Sequence, residues 1–233
     1  MGLFKHAHQK HHDQDVTSFL KEIPGENSLF YDKKILLKEE RRLFFKRWLK
    51  HPGQLGTLAP ISLRLAKKAA ACIENPQSLR IVEIGAGSGR LTRALLEHGV
   101  CPSRLKVVEL DGELAAFTQK TLPHVDVIHG DASQLKTLLP SKWIGNIDLV
   151  FSTIPLMCLE ESMRACIINA SFDVLNDKGA IFHLTYYPKS PISHMIPCGV
   201  HQQKMLSVVA NIPPAFIWHY KKKDDKIIHR FPL

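Results

Sequence analysis

From residue 79 onward, short continuous apolar runs alternate with amphipathic ones. LRIVEIG, LKVVEL, VDVIHG, IDLVFST and AIFHLTYY are rich in β-branched residues and lack polar alternation, which predicts strands buried on both faces. Between them, GRLTRALLEHG, residues 112–121 and SMRACIINASFDVL carry helical periodicity. Gly99 closes the first of these helices, and the turn Asp177-Lys178-Gly179 is expected to cap the last. Strands alternating with helices imply an α/β architecture, a mostly parallel sheet covered on both sides. AFIWHYK and KIIHRF, separated by Lys222-Lys223-Asp224-Asp225, predict a terminal hairpin.

Upstream the pattern is different. Residues 33–50, KKILLKEERRLFFKRWLK, predict one helix, stopped after His51 by Pro52-Gly53. Lys38, Arg42, Lys46 and Lys50 stack on one side of the helical wheel; Leu37, Phe44 and Trp48 share another, flanked by Leu36 and Leu43. Such a helix can lie in a lipid interface or pack its apolar side on the domain that follows, and both readings stay open. A further helix is expected over 60–74, ending before Asn75-Pro76. Residues 1–27 are mixed polar and end in Ile23-Pro24-Gly25, which reads as a loosely attached tail. The expected organisation is therefore a tail over 1–27, an amphipathic helical segment over 28–75 and one domain over 76–233.

Charge sharpens this picture. The 233 residues carry a formal net charge of +9. Residues 33–50 hold eight basic and two acidic side chains, residues 218–233 hold five and two, and the rest is balanced. A basic excess confined to two short segments points to phosphates, of nucleic acid or of lipid headgroups, against the plainer reading of a solvated surface. The longest stretch free of Asp, Glu, Lys and Arg, 205–220, is interrupted by Pro213-Pro214. That falls short of the roughly 20 apolar residues a spanning helix needs. The start of the chain has no apolar secretory core, and His6 stands where myristoylation would need Ser or Thr. Any membrane contact is thus expected to be peripheral. Five Cys without CxxC spacing argue against a disulfide framework or zinc site and fit a reducing cytosol. His6, His8, His11 and His12 have no second cluster at ligand spacing, so no metal is expected.

The chemistry is carried by IVEIGAGSGR. Gly85, Gly87 and Gly89 follow the first strand directly, where glycine permits a tight turn and close approach of a ligand. The spacing is GxGxG with Arg90 next, so the dinucleotide fingerprint GxGxxG is not met. Glu83 precedes the loop. Glu109 ends the second strand, where a carboxylate can accept from a ribose diol, and Asp131 follows the third strand, where one can accept from an adenine amine. Asp111 reads as a helix cap. In open α/β sheets the carboxyl ends of the strands bring such groups to one crevice.

E-x-G-x-G-x-G, an acidic end to strand two and G-D-A together resemble the class I S-adenosylmethionine-dependent methyltransferases over residues 79–231. The resemblance implies a Rossmann-like sheet of seven strands, the last antiparallel. It also implies that Gly85, Ala86, Gly87 and Gly89 line the methionine and ribose part of the cofactor. Glu83 would support its amino group indirectly, Glu109 with Leu110 the ribose, and Asp131 with Ala132 the adenine.

For the acceptor, the fourth strand ends Ser152-Thr153-Ile154-Pro155-Leu156. The rRNA adenine dimethyltransferases, which the chain otherwise resembles, carry Asn or Asp, any residue, Pro and an aromatic ring here, to hold and stack a flipped base. Thr153 and Leu156 replace both base-holding groups, which argues against nucleic acid. The residues after Tyr187 are also expected to leave no room for those enzymes' helical RNA-binding domain. WLKHPGQLGTLAP, S-x-x-P-L, LTYYPKSP and NIPPAFIWHY are instead similar to bacterial phospholipid N-methyltransferases acting on phosphatidylethanolamine, although Tyr187 stands where that family commonly has glycine. That resemblance implies a cytoplasmic monomer, peripherally attached to the inner face of a membrane through its 33–50 helix. Its partners would be a phospholipid substrate and an anionic membrane surface, met by the basic segment. Tyr186, then His183, are the candidate proton acceptors, and Ser152, Thr153 and Pro155 would line the amine site. Tyr187, Tyr31 and Phe30 could face a methylated ammonium. Lys189 with Ser190 could meet the lipid phosphate. The alternatives are an rRNA adenine-N6 dimethyltransferase-like enzyme, a small-molecule amine methyltransferase and a non-catalytic binding module.

Overall fold

Ile81, Val82, Glu83 and Ile84 are all buried, as a strand covered on both faces requires. They form β1 (Ile81–Ile84) at the centre of the computed structural model, which describes residues 61–193, 199–209, 211 and 213–222. The other strands are β2 (Leu105–Glu109), β3 (Asp126–His129), β4 (Ile147–Ser152), β5 (Leu175–Thr185), β6 (Val200–Val208) and β7 (Ala215–Lys222). They join one sheet in the order β3-β2-β1-β4-β5-β7-β6. β1 to β5 are parallel, and β7 runs antiparallel to both of its neighbours, β5 and β6. This is the Rossmann-like arrangement that the resemblance implies. The strand order reverses between β1 and β4, and a crevice opens at the carboxyl ends of the strands there.

Helices cover both faces. α1 (Leu63–Ala70) and α2 (Arg90–Glu97) bury Leu65, Ala66, Ala69, Leu91 and Leu95 against Ile81, Val107 and Phe151. On the other face α4 (Leu135–Leu138) and α5 (Glu161–Val174) bury Leu135, Ile168 and Phe172 against Val82, Val150 and Ile181. α3 (Gly112–Thr121) starts where the sequence places it, with Asp111 Oδ1 accepting from the Glu113 and Leu114 amides, both at 3.0 Å. Asp111 is thus a cap. α1 is shorter than the 60–74 helix expected: Ser62 caps it by accepting from the Leu65 amide at 3.1 Å, and it ends at Ala70.

Two expectations are corrected. Asp177, Lys178 and Gly179 do not cap α5; they lie inside β5, where the register jumps from Ile147↔Leu175 to Leu149↔Ala180. The polar residues bulge from the strand and are held by Asn176 Nδ2 donating to Asp148 Oδ1 at 2.7 Å. The partner of β7 is β6, whose polar sequence VHQQKMLSV gives no apolar run to read. KIIHRF, expected to pair with AFIWHYK, falls within 223–233, which lie outside the described residues. So do the 33–50 helix with Lys38, Arg42, Lys46 and Trp48, and Phe30 and Tyr31. Among the described residues no helix is long and apolar enough to cross a membrane.

Candidate active site

The glycine turn is built by positive φ: Gly85 at 79°, Gly87 at 58° and Gly89 at 75°. A Cβ on Gly85 would lie 2.7 Å from Ile154 Cγ1 and 3.1 Å from the Ile154 backbone nitrogen, so only glycine fits between the turn and the end of β4. Two side chains brace this turn. Glu109, 7% exposed, accepts from the Gly87 amide at 2.7 Å through Oε2 and from the Asp111 amide at 3.0 Å through Oε1. A carboxylate oxygen can accept more than one hydrogen bond, which is what a ribose diol would need. Thr153 donates its hydroxyl to the Gly85 carbonyl and its amide to the Ile84 carbonyl, tying β4 to the turn.

These elements enclose a cavity of about 540 Å³. Of the cofactor residues expected from the sequence, Gly85, Ala86, Gly87, Glu109, Leu110, Asp131 and Ala132 line it. Asp131 also caps a short turn, Oδ1 accepting from the Ser133 amide at 2.8 Å. Gly89 does not line the cavity; it sits behind, where a Cβ would meet Thr118 Cγ2 at 2.9 Å.

Glu83 lies off the wall, fully buried, and neither of its oxygens has a hydrogen-bond partner. Burial pushes its carboxyl up to about 8, with the Glu109 charge adding to the rise. The Thr92 hydroxyl opposes this rise by more than the Glu109 charge adds to it, although it makes no bond of regular geometry. A tight glycine cradle, a braced carboxylate at the end of β2, a second after β3 and an orphan acid at the foot of the turn suit a cationic nucleoside such as S-adenosylmethionine.

The acceptor residues separate into two groups. Thr153, Pro155, Tyr186 and Tyr187 line the cavity. His183 and Ser152 do not: both are 1% exposed, with His183 Nδ1 3.1 Å from Ser152 Oγ. Strand alternation places them with Val150 and Ile181 on the α5 side of the sheet. Burial holds His183 down at about 3, so it is neutral and sealed from the cavity, and it is not the proton acceptor. Tyr186 is half-buried against the α1 side of the core, and burial raises its hydroxyl pKa. It therefore stays a neutral phenol at neutral pH, able to orient an amine but a poor base. Lys189 is exposed and off the wall, and Ser190 is 7% exposed and bonded to Tyr220 Oη at 2.8 Å, which removes it from a phosphate role.

Sequence reasoning missed the apolar half of the wall. Ile154, Met157, Leu159, Met163 and Ile167 come from the stretch after β4 and the start of α5, and Ile61 joins them from ahead of α1. The signal was present in the apolar residues around Pro155, but only the fold shows which of them face the cavity. Arg90, also on the wall, donates to the Ile61 carbonyl at 2.8 Å and fixes the incoming chain beside the glycine turn.

The family described as "Ribosomal RNA adenine dimethylase" matches residues 62–215. An ornithine lipid N-methyltransferase of Singulisphaera acidiphila is 26% identical over 149 residues, covering 63% of this chain and 78% of that protein. A ribosomal RNA small subunit methyltransferase A of Chlorobium luteolum is 40% identical over 91 residues, covering 37% of this chain and 32% of that one. The chain thus spans about a third of that rRNA-modifying relative's length. Among solved structures, a Bacillus cereus O-methyltransferase in complex with S-adenosylhomocysteine shares the fold at TM-score 0.58 and 15% identity, covering 89% of this chain and 97% of that one.

Proposed function

The chain belongs to the ribosomal RNA adenine dimethylase family and is an S-adenosylmethionine-dependent N-methyltransferase, and from that premise we propose that its acceptor is the amine of a membrane phospholipid, phosphatidylethanolamine, met at the cytoplasmic face of the bilayer. The observation that carries this reading is the mouth of the cavity. Leu110, Met157, Met163 and Tyr187 line it while 68%, 41%, 41% and 50% exposed. An apolar rim suits an acceptor attached to acyl chains better than a polynucleotide backbone. The end of β4 supports the same reading, because the Thr153 hydroxyl is already donated to Gly85 and Leu156, 1% exposed, supplies no ring for a base.

When bound, the cofactor supplies an electrophilic methyl group for in-line transfer to a nitrogen lone pair. Glu109, Gly87 and Asp131 hold its nucleoside, and the cavity shields the reacting atoms from bulk water. Thr153 Oγ keeps lone pairs that can accept from the amine, and the Tyr186 hydroxyl can accept from it on the β5 side. A lipid ammonium with a pKa of roughly 10, by analogy with lysine, must first lose a proton. Among the described residues the wall carries no His or Lys, and we propose that the proton leaves to water at the open mouth before the amine is enclosed.

A second reading differs in the headgroup alone: the ornithine lipid N-methyltransferase relative favours an amine of that lipid class. Labelled cofactor incubated with vesicles containing phosphatidylethanolamine or ornithine lipid, and in parallel with ribosomal RNA, separates the readings. Label is expected in the phosphatidylethanolamine fraction. Label in RNA, with none in either lipid, would sink the lipid assignment.

A further inference from the structure

Large exposed apolar side chains are not scattered over the described surface. Leu63, Leu110, Met157, Met163, Tyr187 and Val209 all lie at one edge of the sheet, and among the described residues Met205, in the middle of β6, is the exception. Leu110 follows the last residue of β2, Met157 the end of β4, and Met163 sits in the first turn of α5; with Tyr187, just past β5, they ring the cavity mouth. Val209 is brought to the same edge by topology. β6 runs parallel to β5 because both are antiparallel to β7, and its last residue, Val208, pairs with Ala215, whose neighbour Phe216 pairs with Thr185 at the end of β5. Leu63 opens α1. The Ser62 hydroxyl before it donates to Asn211 Oδ1 at 3.0 Å, and Ile61 before that lines the cavity.

Six apolar side chains thus surround an opening and reach beyond it on the α1 side, from five different connections. One helix laid across the edge would cover a stripe, whereas a ring is met all at once by a plane. Exposed Lys189 and the chain leading from the +6 segment 33–50 meet the molecule at this same edge, which suits a plane of anionic headgroups. We propose that the carboxyl edge of the sheet, with Leu63 and Val209 outside the cavity and Leu110, Met157, Met163 and Tyr187 around it, is the surface that enters the bilayer interface. The cavity mouth then lies flush with the headgroups. This rests on the lipid-amine reading. Seated this way, the apolar side chains dip roughly 5–10 Å into the headgroup–acyl boundary, and a lipid amine reaches the cavity without leaving the membrane.

The test uses the full chain and vesicles of phosphatidylethanolamine with phosphatidylglycerol. The double variant Leu63→Ser/Val209→Ser changes two residues off the cavity wall. It is expected to sediment with vesicles about tenfold more weakly, through lost apolar burial, while methyl transfer to lipid dispersed in detergent micelles stays at the wild-type level. In a second measurement, added fluorescence from Val209→Trp is quenched by spin-labelled lipid, while that from Met205→Trp is not. Vesicle binding equal to wild type, or equal quenching at 205 and 209, overturns the surface. A wild-type protein that docks through this edge but transfers no methyl group to lipid, in vesicles or micelles, supports the surface and overturns the acceptor reading instead.

Discussion

Glu83 shows how far an unpartnered acid buried beside the glycine turn opposes stability. Its carboxyl, ordinarily near 4.5, sits at about 8 because both oxygens are buried without partners. The unfolded chain therefore releases this proton first, and stability falls as pH rises from about 4.5 to 8. The loss amounts to a few kcal/mol at most by pH 8. In cofactor-free protein, Glu83→Gln should flatten this fall and raise the melting temperature at pH 8 by several degrees, with little change near pH 5. It should also weaken binding of the demethylated cofactor product; a calorimetric pH series that runs parallel to wild type removes the assignment. His183 acts with the opposite sign. Its folded value of about 3 lies below its ordinary 6.5, so its contribution is lost as pH falls from 6.5 towards 3. With His183 sealed off and Tyr186 a neutral phenol, the proposed mechanism has the amine deprotonate in solvent. Accordingly kcat/KM for lipid should climb about tenfold per pH unit from 7 to 9, and a plateau below pH 8 would reveal a base on the enzyme.

At the level of elements, the segment after β5 decides where Tyr186 and Tyr187 stand. Ser190 Oγ meets Tyr220 Oη of β7 at 2.8 Å in the core, and Arg164 of α5 donates to the Pro191 carbonyl at 3.2 Å. The two anchors come from β7 and α5 and fix the segment just past Tyr186 and Tyr187, which line the cavity. Tyr220→Phe should cost about 1 kcal/mol of stability, seen as a drop of roughly 2–4 °C in melting temperature. It should raise KM for lipid while leaving the affinity for the cofactor product unchanged; an unaltered KM would make the contact structural only. The same elements show what was legible beforehand. α3 matches its expected range because capping and periodicity are local signals, and Glu109 ends β2 as read. β6 was invisible because an edge-region strand with one solvated face needs no apolar run, and its partner is chosen by the sheet. His183 looked like a catalytic base in a strand ending at the site; strand alternation turned it to the wrong face.

On the scale of the whole molecule, the proposed docking would join the charge excess to the apolar edge. The basic segment 33–50 lies outside the described residues, but the chain leaves it for Ile61, which is on the cavity wall. Under that proposal, attraction to anionic headgroups, screened over about 8–10 Å at physiological salt, would bring the protein near without setting its orientation. The apolar edge would act at contact and set it. Removing residues 1–50 should therefore abolish sedimentation with anionic vesicles at 0.15 M salt. Binding retained by the truncated chain would show that the segment has no part in docking.

What the sequence determined by itself was whatever rests on local chemistry. The turn needs glycine because its φ angles are positive, and the acids end strands that periodicity already locates. The tertiary structure decided which side chains meet. It sealed His183 and Ser152 in the core, bound Ser190 to Tyr220, and gathered Leu63, Leu110, Met157, Met163, Tyr187 and Val209 at one edge. The reason is physical: facing is set by strand alternation, crossover direction and pairing register, and these are properties of the assembled sheet.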